Sequence, residues 1–332
     1  MSGIKMSSHK PFETPIEDDG RVLRGSWRSP RNLLVDQSYG GHASVHDDET
    51  ARKMGFKSAA IEGPTHFSQF VPLCHAIWGD GFLTEGCLSA AYKTAVHDGE
   101  KVRAHVARPA PGMSQVDIWM EREDGAEVLR GTASIGSGNP PSMLGRKLEA
   151  LPPPDPFRVI HRDIEPGAMR SRTRVRMDID SVMGALYPFS LRQKLEFITE
   201  SSPWYAEAES SPWERPIIPF EMVSVLLHHT SADDPWLGAE PTIDLFVDQE
   251  IHMIAGPLFV GEDYEIERKV VALSGSRRTE STWVRTEVFR PGEKEVLATM
   301  LLNVASFKES YPDYEARLAT IRSSVTLTPV ER

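Results

Sequence analysis

The chain has 332 residues, 40% of them hydrophobic and 26% charged, enough apolar material for one large domain or two of ordinary size. Its 37 basic and 48 acidic side chains leave a net charge of -11, which argues against wholesale binding to nucleic acid, because that affinity is built on a Lys/Arg footprint. No apolar run reaches the ~18–20 residues that span a bilayer, and the opening MSGIKMSSHKPFETPIEDDG lacks the apolar core of a signal peptide, so no membrane association and a cytoplasmic location are expected.

The first informative stretch runs from Ser38 to Phe70 and concentrates three histidines and four acidic residues around Ala59-Ala60-Ile61 and Gly63-Pro64. Within it DETARKMGF reads as a short helix, with Asp47 and Asp48 capping free amides, Ala51 facing inward and Gly55 at the C-terminal end. A second helix is expected from Thr65 to about Trp78. It is apolar on most sides, so it belongs inside the molecule, and Pro72 should kink it. Cys74 and Cys87 lack the Cys-x-x-Cys spacing of zinc or redox sites and read as buried free thiols.

The period then changes from helical to alternating. KVRAHVA places Val102, Ala104 and Val106 on one face, and QVDIWMERE does the same with Val116, Ile118 and Met120. Such alternation marks antiparallel strands with one face buried. GAEVLRGTASI, from Gly125, closes the first half. The segment 136–157, GSGNPPSMLGRKLEALPPPDPF, is rich in residues that remove backbone donors or fix φ; it reads as a linker without helix or central strand. It divides the chain into domains at 1–135 and 158–332.

The second half repeats the first. RPIIPFEMVSVLLHH, from Arg215 to His229, is again an apolar helix behind a proline turn. Gly-Glu precedes a strand at Gly99 and at Gly261, and Glu-Val-Leu recurs at 127–129 and 295–297. Alternating strands follow around Ile266 and Val284. Each half is thus one apolar helix followed by antiparallel strands, and the simplest layering lays the helix against the concave face of the sheet. That is an α+β double hotdog. Hotdog sheets commonly pair along their edges, so a homodimer is expected by analogy.

Val45-His46-Asp47-Asp48, then Ala51, Gly55-Phe56, Ile61 and Gly63, resembles the MaoC-like, (R)-specific enoyl-CoA hydratase family. The resemblance implies a hydratase or dehydratase of acyl thioesters, CoA being the expected carrier, that uses an Asp–His pair and no cofactor. His46 and Asp48 align with the family motif, but Gly41 stands where the family has its catalytic Asp, and Glu62 where it has the His of a His-Gly pair. In double hotdogs of this kind the resemblance implies that one half keeps the chemistry and the other shapes an acyl tunnel. Trp204, Tyr205 and Trp213, beside Glu200 and Glu221, suit a binding wall or a plain core.

Hydrating an enoyl thioester takes a base for water, a proton donor for the α-carbon and a donor for the thioester oxygen. His46 is the first candidate for acid/base work, because imidazole titrates near neutrality. Glu62 is the second: facing a partly dry cavity it replaces the missing Asp, facing solvent it is an ordinary loop carboxylate. The Gly63-Pro64-Thr65 helix start offers unpaired amides to an oxyanion, Gly63 foremost. Tyr39, His42, Thr65 and His66 complete the candidate substrate-binding set. No metal-ligand spacing occurs; His228 and His229 are adjacent rather than i,i+4, and Arg277 and Arg278 suit either CoA phosphates or a solvated strand face. A hotdog thioesterase and a non-catalytic acyl-binding protein are the competing functional readings.

Overall fold

The computed structural model describes residues 11–37, 44–236 and 242–326. Tyr39, Gly41 and His42 lie outside them. The N-terminal half opens with β1 (Glu17–Asp18), β2 (Val22–Arg24) and α1 (Asp48–Lys53). A 3-10 helix, Gly63–Phe70, runs into α2 (Val71–Trp78), followed by α3 (Gly81–Glu85). Strands β3 (Gly86–Tyr92), β4 (Val102–Ala107), β5 (Gln115–Arg122) and β6 (Glu127–Ile135) complete it. After α4 (Met143–Glu149) come β7 (Thr173–Arg176), α5 (Leu191–Leu195) and α6 (Phe220–His228). Strands β8 (Asp244–Met253), β9 (Asp263–Gly275), β10 (Thr279–Phe289) and β11 (Val296–Phe307) lead to α7 (Tyr314–Thr326).

The eleven strands among the described residues form one sheet, ordered β1-β2-β4-β5-β6-β3-β8-β11-β10-β9-β7. Outward from the β3–β8 junction the order is β3-β6-β5-β4 on one side and β8-β11-β10-β9 on the other. The two halves therefore share one topology, and the Glu-Val-Leu repeats fall at the equivalent strands β6 and β11. This is the double hotdog expected from the alternating patterns. The halves join by antiparallel pairing of β3 with β8, from Cys87 opposite His252 to Ala91 opposite Asp248.

One apolar cluster runs through both halves: Phe67, Phe70 and Leu73 pack with Val102, Ala104 and Ile118, and with Met222, Val225 and Leu226 of α6. The first long helix is not a single α-helix. Pro72 has no N–H to return to Ser68, and the Val71 amide instead bonds Ser68 O in a tighter turn, so the chain changes from 3-10 to α at that point. Asp47 is the N-cap of α1, accepting from the Thr50 amide at 2.9 Å, and Gly55 takes a positive φ of 87° just past its end.

The proline-rich segment 136–157 departs from expectation, because it contains α4. Ser142 caps it by accepting from the Gly145 amide at 2.9 Å, which permits a helix in the proline-free run between Pro141 and Pro152. Leu144, fully buried, packs with Trp283 and Leu301 across the sheet. Lys147 Nζ lies 2.7 Å from Asp248, so α4 bears directly on the β3–β8 seam. Cys74 and Cys87 are buried free thiols. No helix among the described residues is long and apolar enough to cross a membrane.

Candidate active site

The site starts from a backbone match between two loops. Ala60 N–H donates to Val45 O at 3.0 Å, and the His46 ring returns the contact, its Nδ1 2.6 Å from Ala60 O. A carbonyl only accepts, so Nδ1 carries the proton and Nε2 holds the lone pair. Nε2 has no partner within the described chain. The pairing brings Glu62, two residues beyond Ala60, to the same wall. His46, Glu62, Gly63 and His66 all line one cavity of about 590 Å³, which also takes in Tyr92, His228 and Ser231.

Glu62 is 8% exposed, and burial pushes its carboxyl up to about 7, against the pull of Lys194 and a hydrogen bond from Tyr187. Half protonated near neutrality, it can both give and take a proton. His46 is pushed the other way: enclosure lowers it to about 4, so the imidazole is neutral at pH 7. Gly63 begins the 3-10 helix, and its N–H makes no hydrogen bond among the described residues. Glycine is required there, since a Cβ would lie 2.4 Å from the Tyr92 ring. Tyr92 is held in turn by Gln249, its Oη donating at 2.9 Å.

The second half reaches into this site. Tyr187, on the loop between β7 and α5, donates from Oη to Glu62 Oε1 at 3.2 Å, and the same oxygen is 3.1 Å from His228 Nδ1. His228 Nε2 is 3.2 Å from Ser231 Oγ. Burial lowers His228 to about 3, so it is neutral. One set of donors satisfies the row: Ser231 to His228, His228 to Tyr187, Tyr187 to Glu62. Behind Glu62, Lys194 Nζ donates to Thr65 Oγ1 at 3.2 Å and lies 3.5 Å from Glu221. Glu221 is also buried and also raised to about 7.

The structure thus brings together His46, Glu62, Gly63 and His66. Thr65 does not line the cavity; its hydroxyl serves Lys194. His66 Nδ1 is buried without a partner, and burial lowers the ring to about 3. Trp204 and Tyr205 are core residues at 2% and 1% exposure, and neither they nor Trp213 line the cavity. Arg278 is engaged with Met54 O and Glu309. Sequence reasoning missed Tyr187, Lys194 and Ser231, and considered His228 only as a metal ligand. Its place at the end of an apolar helix was the one available signal.

Solved structures share this architecture at low identity. A crystal structure from Chloroflexus aurantiacus J-10-fl, described as a MaoC domain protein dehydratase, is 13% identical with a TM-score of 0.53, covering 90% of this chain and 96% of that one. A structure described as a MaoC-like dehydratase is 16% identical over 85% of this chain and 97% of its own, with a TM-score of 0.47. A Mycobacterium tuberculosis protein described as having a double hotdog fold is 11% identical over 83% and 88%, with a TM-score of 0.49. No family model and no curated protein matches the sequence. The chain therefore has the double-hotdog fold of MaoC-like proteins, and its chemistry has to be argued from the residues in the cavity.

Proposed function

We propose that this chain is a hydro-lyase that adds water to the double bond of an α,β-unsaturated acyl thioester, with CoA as the carrier. The observation that carries the reading is a pair of titratable groups moved in opposite directions on one cavity wall: His46 down to about 4 and Glu62 up to about 7. Near neutrality the first is a free base and the second is partly an acid, which is how an environment assigns acid and base roles. His46 Nε2 takes a proton from water, whose oxygen bonds to the β-carbon. The double-bond electrons move toward the thioester oxygen, where the Gly63 N–H meets the growing charge. Glu62 then gives its proton to the α-carbon. The proton on His46 returns to the Glu62 carboxylate through solvent, and the cycle closes.

The carboxylate the family motif places at the Gly41 position is, on this reading, supplied by Glu62. Tyr187 and His228 hold it in place. The chemistry is assayed by following loss of the conjugated enoyl-thioester absorbance. His46→Ala and Glu62→Gln should each lower kcat by at least ~100-fold, the usual scale of general acid–base catalysis. Wild-type-like rates in both variants would refute the assignment. Release of free thiol from a saturated acyl-CoA would favour a thioesterase, and saturable binding without turnover would favour an acyl carrier.

A further inference from the structure

A second, smaller chamber of about 190 Å³ opens beyond His228 and shares His228, Ser231, Thr242 and Asp244 with the main cavity. At roughly 30 Å³ per water it holds about six water-sized groups, too few for a nucleotide but enough for the end of an acyl chain. Part of its wall is the second half's sheet, apolar at Val284, Met300, Leu302 and Val304, and part is the loops around His161 and Trp236. In the first half the buried faces of β4 and β5 are apolar: Val102, Ala104 and Val106, and Val116, Ile118 and Met120. In the second half Arg268 on β9 and Thr282 and Thr286 on β10 line the chamber. His161 joins them, 6% exposed and with neither ring nitrogen partnered.

Arg268 is the unusual group. It is 7% exposed, and no acidic group among the described residues comes within ion-pair distance of it. Its Nη2 donates to Leu227 O and Thr230 Oγ1, both at 2.8 Å, which anchors the end of α6. Helix anchoring accounts for that one nitrogen. Nε has no partner, and no bond is made by Nη1. Burial lowers the guanidinium to about 10, and the more distant Asp234 and Asp233 do not offset this. A buried cation with unused donors is expensive in a folded chain and is well suited to a carboxylate, which takes two parallel N–H bonds. Asp244 also faces the chamber, but its Oδ1 already accepts from Thr242 at 2.8 Å.

We propose that this chamber receives the far end of the acyl chain and that this end carries a carboxylate held by Arg268, so that the preferred substrates are thioesters of dicarboxylic acids. The proposal rests on the reading of the main cavity as the thioester site. Arg268 makes no contact with the reacting atoms; it determines specificity.

Two measurements separate this inference from that reading. The first is the ratio of kcat/KM for an enoyl-CoA ending in a carboxylate to that of the methyl-ended thioester of equal length. It should exceed about ten in the wild type and fall below one in Arg268→Met, with Arg268→Lys between them, because a lysine keeps the charge and loses the fork. The second is calorimetric titration of the unliganded protein with hexanedioate and with hexanoate, expected to show Arg268-dependent binding of the dianion alone. Equal turnover of both thioesters by the wild type would overturn the inference and leave the hydratase reading standing. Turnover of neither, with hexanedioate still bound through Arg268, would do the reverse. Should Arg268→Met fail to fold, the wild-type ratio and the lysine variant decide the matter.

Discussion

The Tyr187 hydroxyl, from the second half of the chain, donates to the Glu62 carboxylate of the first at 3.2 Å. One repeat therefore moderates the protonation of a carboxyl group in the other. A hydrogen bond to the ionised form favours that form, so Tyr187 works against the burial that raises Glu62.

The first consequence is a pH profile. The proposed hydration requires His46 neutral and Glu62 protonated, so kcat/KM should be bell-shaped, falling below pH about 4 and above about 7. In Tyr187→Phe the ionised Glu62 loses a donor, its pKa rises, and the alkaline limb should move up by about one unit, the scale of a hydrogen bond to a charged group. A merely structural tyrosine would lower the whole curve without moving that limb. Stopped assays across pH distinguish the two.

Glu221 gives a stability prediction of definite sign. Burial raises its folded pKa to about 7, from the 4.5 of an ordinary glutamate. Between those values the folded state binds more protons than the unfolded, so this group's contribution is full below pH 4.5 and is lost as pH rises to about 7. The buried histidines, lowered in the fold, slope the other way and obscure the effect in the wild type alone. The comparison with Glu221→Gln isolates it. The variant should gain on the wild type in urea midpoint steadily from pH 4.5 to 7. A constant difference across that range would contradict the buried, protonated state of Glu221.

At Gly63 the contact is steric. Gly63→Ala would set a methyl 2.4 Å from the Tyr92 ring. The expected cost is about 1–3 kcal/mol of unfolding free energy, as for other overpacked sites. Tyr92→Ala in the same chain should recover part of that loss, and a double-mutant cycle read by chemical denaturation measures how much.

The layered fold was readable because its signals are local and periodic. Val102, Ala104 and Val106 alternate, Phe67 to Trp78 is apolar throughout, and both patterns recur in order. The chain at Asp47 and Gly55 was readable for the same reason, since caps and positive-φ glycines follow short-range rules. The candidate site was only half legible. His46 and Glu62 sit in one motif, whereas Tyr187 approaches Glu62 from 125 positions away along a loop with no period. Lys194 and Arg268 stand in no sequence motif, and only the fold shows them buried. The helix α4 lies between prolines on either side, and the Ser142 cap that starts it is a one-residue signal.

The β3–β8 seam frees the molecule from a constraint that binds any assembly of identical subunits. When two copies meet across a two-fold axis, each surface must complement itself. Here the meeting strands differ, so Ser89 faces Glu250 and Ala91 faces Asp248, and each position needs to suit one neighbour only. Lys147 can then neutralise Asp248 from one side without a mirror-image lysine on the other. Within a single polypeptide the meeting is also unimolecular, and its strength does not vary with dilution. Both repeats are released to differ, one placing His46 and Glu62 on the cavity wall, the other Tyr187 and His228 beside Glu62 and the enclosed Arg268 guanidinium in the chamber beyond.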